Sequence, residues 1–133
     1  MAFAGMNYAA IVVAAIAGFV AGAVWYGLLG KQWMAVLGKS KDEMKPSPGP
    51  FITAGVALLL MAYVLAGTIG HLGEVNLRTG VISGAIIWAG FVATTIAVNN
   101  AFQGARLSLS LIDAGHWLVV LLLMGGVIGA FGV

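Results

Sequence analysis

Few side chains in this sequence could do chemistry, and five of them fall in one stretch: Asn99, Gln103, Arg106, Asp113 and His116. On a helix that continues past residue 98, Asn99, Gln103 and Arg106 share a face, being spaced by four and three. Asp113 and His116 share a face for the same reason. The expectation is a small polar vestibule at one end of the protein. An aspartate beside a histidine can handle protons, because imidazole titrates near neutrality and a carboxylate can take part in the exchange. Arg106 could instead neutralise Asp113. The plainer reading is interfacial. Helix ends at a membrane surface are polar, an aspartate in a first turn complements the helix dipole, and a histidine followed by Trp117 suits the headgroup layer. One aspartate and one histidine fall short of the three or four ligands a metal wants, so no metal is expected. His71 falls on the other side. No acid, base and nucleophile stand at a recognisable spacing, and the glycine pairs lack the lysine of a phosphate-binding loop. Neither a cofactor nor an enzymatic activity is expected.

The elements that must position these residues are membrane-spanning helices. Of 133 residues, 62% are hydrophobic and 8% charged, where a soluble domain carries about 25% charged residues. Mean hydropathy is +1.07. The class is an integral membrane protein built as one compact unit. The net charge of +2 is too small an excess to argue for nucleic acid. There is no cysteine, hence no disulfide framework and no thiol chemistry. The first apolar run lacks a positive n-region and exceeds the usual length of a signal-peptide core, so it is read as a retained span.

The fold class expected is all-α: a four-helix antiparallel bundle in a single domain, with spans at about 7–29, 51–70, 80–98 and 109–131. Span one carries no charge from Tyr8 to Leu29. It sets Ala10, Ala14, Gly18 and Gly22 in one stripe, where a neighbouring backbone can come close. Ala62 and Ala66 in span two, Gly80 and Gly84 in span three, and Gly125 and Gly129 in span four offer the same opportunity. Trp25, Tyr26, Trp33 and Trp117 suit the interfaces as half-wet aromatic rings. The loop at 30–50 is the substantial polar segment. Within it, Lys31 to Leu37 is expected along the interface, with Gly38 as a stop. Ser40 and Glu43 fit a capping box for one further turn. Pro46, Pro48 and Pro50 bar a helix through that point. The short connection from His71 to Thr79 makes spans two and three antiparallel neighbours. Thr53, Thr68, Thr94 and Thr95 are expected to bond back to their own helices, and Tyr63 and Trp88 to pack in the bundle.

Lysine and arginine counting sets the orientation. The loops after spans one and three hold Lys31, Lys39, Lys41, Lys45 and Arg106, whereas the opposite side holds Arg78. Both loops are therefore expected in the cytoplasm and both termini outside. The two halves are faintly alike at an offset of about 63 residues, long enough for one helical hairpin each. Trp25 aligns with Trp88, and Leu58 to Met61 with Leu121 to Met124. A tandem hairpin is one explanation; chance matching among few apolar letters is the plainer one.

Asn7-Tyr8 before an alanine-rich span, Trp25-Tyr26 at its end, and then Gly30-Lys31-Gln32-Trp33-Met34 resemble a bacterial family of small four-span proteins, domain of unknown function seventeen-sixty-one. An aromatic-Gly-Lys-x-Trp foot is usual there, and Leu29 stands here in the aromatic place. The resemblance implies a four-span fold in the inner membrane and brings no activity or catalytic residue. Small multidrug transporters also have four spans, but they share a glutamate in span one, and this span one has no acid. The expected function is that of a non-enzymatic structural or accessory membrane protein, with lipid around it and a second copy or another membrane protein as partner. The alternative is a small transporter or channel for protons or a small solute, using the polar cluster.

Overall fold

A chain in hydrocarbon must satisfy its backbone hydrogen bonds within each segment, and every apolar run here forms one long helix. The structure is a computed structural model describing residues 3–40, 42–43 and 47–132. Its elements are α1 (Tyr8–Leu37), α2 (Pro48–Leu72), α3 (Leu77–Ile87), a π-helical turn (Trp88–Val92), α4 (Ala93–Phe102) and α5 (Leu107–Phe131). The π turn joins α3 and α4 into one rod, so among the described residues four rods are long and apolar enough to cross a membrane. The architecture is an all-α bundle whose successive rods run in opposite directions.

The ends of the rods show how local sequence sets their lengths. Asn7 caps α1, its side chain accepting from the Ala10 N–H at 3.1 Å. No breaker follows until Gly38, which ends the helix in the left-handed region at φ 70°. Lys31 to Leu37 therefore continues α1 instead of lying along the interface, and the loop begins eight residues later than expected. At about 1.5 Å per residue, α1 is about 45 Å long and overshoots a hydrocarbon core of about 30 Å. Ser40 and Glu43 form the reciprocal pair, with Ser40 N–H donating to Glu43 Oε1 at 3.2 Å and Glu43 N–H to Ser40 Oγ at 3.4 Å. The Ser40 N–H, then its hydroxyl, hold the Glu43 carboxyl below the usual carboxylate range. Lys41, Lys45 and Pro46 lie outside the described residues. Pro48 and Pro50 sit in the first turn of α2, where no N–H is needed, so these prolines open the helix.

Helix α5 occupies the centre. It packs most extensively against α3 and α1, which do not touch each other, while α2 lies on α1 and reaches α5 with fewer contacts. Helices α2 and α3 barely meet, despite their short connection. The reason is the face that α3 presents. A Cβ built on Gly80 would run into the Gly125 carbonyl, and one on Gly84 into the Leu121 carbonyl. Those glycines seat α3 on α5 and turn it away from α2. The core joins Ile11, Ala14 and Ala15 of α1, Leu58, Ala62, Leu65 and Ile69 of α2, and Val120, Leu121, Met124 and Ile128 of α5.

Candidate functional site: the seam between α1 and α5

The expected vestibule does not assemble from all five residues. The third rod ends at Phe102, and Gly104 turns the chain at φ 70°. Gln103 and Arg106 thus fall in a turn and not on a helix with Asn99, and all three are exposed. The turn is held by a neighbouring side chain: Asn100 Nδ2 donates to Ser110 Oγ at 3.0 Å.

Asp113 and His116 do lie together, and α1 brings a third polar group to them. Tyr26 Oη donates to Asp113 Oδ1 at 2.6 Å, a length typical of a hydroxyl on an ionised carboxylate. The Tyr26 ring stands 5.0 Å from the His116 ring and 4.9 Å from the Trp33 ring, centroid to centroid. Trp117 meets the imidazole edge-on at 4.7 Å. His116 Nδ1 is buried with no hydrogen-bond partner among the described residues.

Two missing Cβ atoms make this seam possible. A Cβ on Gly22 would come within 2.9 Å of His116 Nε2, and one on Gly115 within 2.8 Å of the Trp25 ring. Each helix thus receives a ring from the other into a glycine notch. Trp25 uses its position to donate its indole N–H to the Ile112 carbonyl at 3.0 Å. From the other flank of α5, Trp88 donates to the Ala114 carbonyl at 2.7 Å. The polar ends of Trp25 and Tyr26 point into the bundle, although their types and place also suit a headgroup layer. Tyr26 was legible as an aromatic at a helix end; nothing in its spacing announced Asp113, 87 positions away.

The remaining small residues divide by neighbour. Ala10, Ala14 and Gly18 are buried, and Gly18 faces Leu58 of α2 and Val120 and Met124 of α5. Ala62 is fully buried and Ala66 half-buried. Gly80, Gly84, Gly125 and Gly129 form the close crossing of α3 on α5, where Cβ atoms would meet backbone. Thr53, Thr68 and Thr94 bond back to the carbonyl four residues earlier at 2.8–3.0 Å, and Thr95 does so to Phe91. A separate cavity of about 430 Å³ opens at the opposite end, where Met6, Asn7, Ala66, His71 and Ile128 line it. Among the described residues, no three metal-ligating side chains cluster.

The family model described as Protein of unknown function (DUF1761) matches residues 9–129, from the start of α1 to the end of α5. The chain belongs to this family. The match takes in all four rods of this DUF1761 protein and both sides of the Tyr26–Asp113 seam. Comparison with curated proteins and with solved structures finds no match.

Proposed function

We propose that this DUF1761 protein is a non-enzymatic structural or accessory protein of the bacterial inner membrane, working as a homo-oligomer or as a subunit of a larger membrane complex. Both termini stand outside and the lysine-bearing loop in the cytoplasm. What supports the reading is the dry core. From Ala10 and Ile128 at one end to Leu58 and Val120 further in, the rods meet through apolar side chains that are at most 6% exposed. Several polar groups nearby hold rod to rod: two indoles bond α5 carbonyls and a tyrosine bonds Asp113. Lipid offers no hydrophobic drive between helices, so such contacts are what keeps rods together. The outer faces stay free for lipid or a partner, with Phe91, Leu28 and Leu72 among the exposed apolar side chains. Crosslinking in native membranes tests this. Adducts with a second copy or one defined partner support it, and a chain that crosslinks to neither overturns it.

The second reading is a small transporter or channel for protons or a small solute. It is favoured by one observation, the carboxylate and the unpartnered imidazole nitrogen inside the α1–α5 seam. A path needs polar groups continuing across the bilayer. Proton flux into liposomes that is lost in Asp113→Asn and in His116→Ala would support it, and flux unchanged in both would remove it.

A further inference from the structure

Asp113 sits six residues into α5, about 9 Å along the rod from its first residue at 1.5 Å per residue. An ionised carboxylate at that depth needs a partner, and Tyr26 supplies one hydrogen bond. One turn further on, His116 lies against Tyr26 and Trp117, with Nδ1 buried and unbonded among the described residues. A buried polar atom without a partner is unfavourable, so this nitrogen is a place where one more interaction is gained. Residues three apart on a helix are neighbours, so rotation of side chains alone can bring carboxylate and imidazole together.

We propose that Tyr26, Asp113 and His116 form a proton-binding site within the α1–α5 seam, in which a proton taken onto His116 Nδ1 draws the Asp113 carboxylate off Tyr26. One N–H bond forms on the imidazole. Tyr26 keeps its own proton and loses an acceptor. The cluster passes from one net negative charge to none, and the paired carboxylate offsets the cost of burying an imidazolium. Of the polar bonds from α1 to α5, Tyr26–Asp113 is then released and Trp25–Ile112 is kept, since an indole does not titrate. The site rests on neither reading above: it requires proton binding, with or without flux.

Among the described residues, the other charged groups leave this exchange to the three residues. On α1, Tyr8 is at the far end and Lys31 is exposed beyond the seam. Helix α2 brings Tyr63 and His71, both in its second half, toward the opposite end. The third rod carries Arg78 in its first turn, also at that end, with Glu74 in the connection before it. On the near side, Arg106 is exposed seven residues before Asp113, and Lys39, Asp42 and Glu43 are exposed in the loop.

The test uses the full chain in lipid nanodiscs with nitrogen-labelled histidine. There are two histidines, and His71→Gln leaves one. The ring-nitrogen shifts of His116 are expected to pass from the neutral to the protonated pattern in a single transition between about pH 4 and about pH 9. Tyr26→Phe, which frees the carboxylate, and Asp113→Asn, which removes it, are expected to move the midpoint in opposite directions, each by about tenfold in proton affinity. A neutral imidazole throughout would overturn the site. So would a midpoint unmoved by Tyr26→Phe, a variant that deletes one oxygen and carries the test even where Asp113→Asn does not fold.

Discussion

Trp25 and His116 each fill a notch that exists because the facing helix has a glycine, and this makes single atoms decisive at the seam. Gly115→Ala puts a Cβ within 2.8 Å of the Trp25 ring. Overpacking of this kind costs about 1–3 kcal/mol. Gly27→Ala on α1 meets nothing within 4 Å and replaces a poor helix former by a good one, so it is expected to be neutral or mildly stabilising. Thermal unfolding in mild detergent should separate the two variants, and equal melting temperatures would contradict the notch. Trp25→Phe keeps an aromatic side chain but removes the indole donor and the outer ring atoms that fill the Gly115 notch. The Ile112 carbonyl loses one hydrogen bond, which accounts for about 0.5–1.5 kcal/mol, and the emptied notch adds to the loss in the same assay.

At the scale of elements, glycines decide which helices are neighbours. Gly80, Gly84, Gly125 and Gly129 lie where α3 and α5 approach backbone to backbone, and a Cβ at any of them would overlap main chain on the other helix, which cannot swing aside as a side chain can. Gly126 faces Val81 and Leu77 side chains at 3.5 and 3.6 Å, ordinary contact distances. Gly125→Ala is therefore expected to separate α3 from α5, while Gly126→Ala leaves the bundle intact. Unfolding of the two variants in detergent, side by side, checks this. The same logic ranks the α1 stripe. Gly18→Leu would press on Leu58, Val120 and Met124, whereas Val12→Leu changes an exposed position. Equal loss of stability from these two would count against the buried stripe. In the third rod, the π turn starts at Trp88, whose indole is held by Ala114, and Thr94 and Thr95 bond to the Gly90 and Phe91 carbonyls within it. Those hydroxyls cover backbone acceptors that an irregular turn would otherwise present to lipid.

For the whole molecule, the consequence is a central α5 with α1 and α3 held apart on it. The chain has no cysteine, so introduced pairs report without background. Val81→Cys with Gly126→Cys is expected to crosslink within one chain in native membranes, because Val81 Cγ2 lies 3.5 Å from the Cβ position at Gly126. Crosslinking between copies instead would mean that α3 is exchanged between protomers. The central helix also explains why an internal repeat is not visible in the packing. Trp25 and Trp88, which align at the sequence offset, both donate to carbonyls of α5, where a twofold relation would send Trp25 to α2.

The sequence by itself determined the class, the number of rods and much of their packing surface. Uninterrupted apolar runs leave no alternative to helices that satisfy their own backbone, and a four-residue spacing of small side chains marks a face whether or not its partner is known. It also placed Asp113 and His116 on one face, three residues apart. Local spacing has no means of saying which helix a face meets. It could not show that Gly80 and Gly84 would seat α3 on α5 and away from its sequence neighbour α2. It could not show that Gly104 would end the third rod and leave Asn99, Gln103 and Arg106 exposed. Nor could it show that Tyr26, 87 positions from Asp113, would become its hydrogen-bond donor. Those outcomes depend on backbones approaching across the bundle, and only the tertiary structure decides where the smallest residues let that happen.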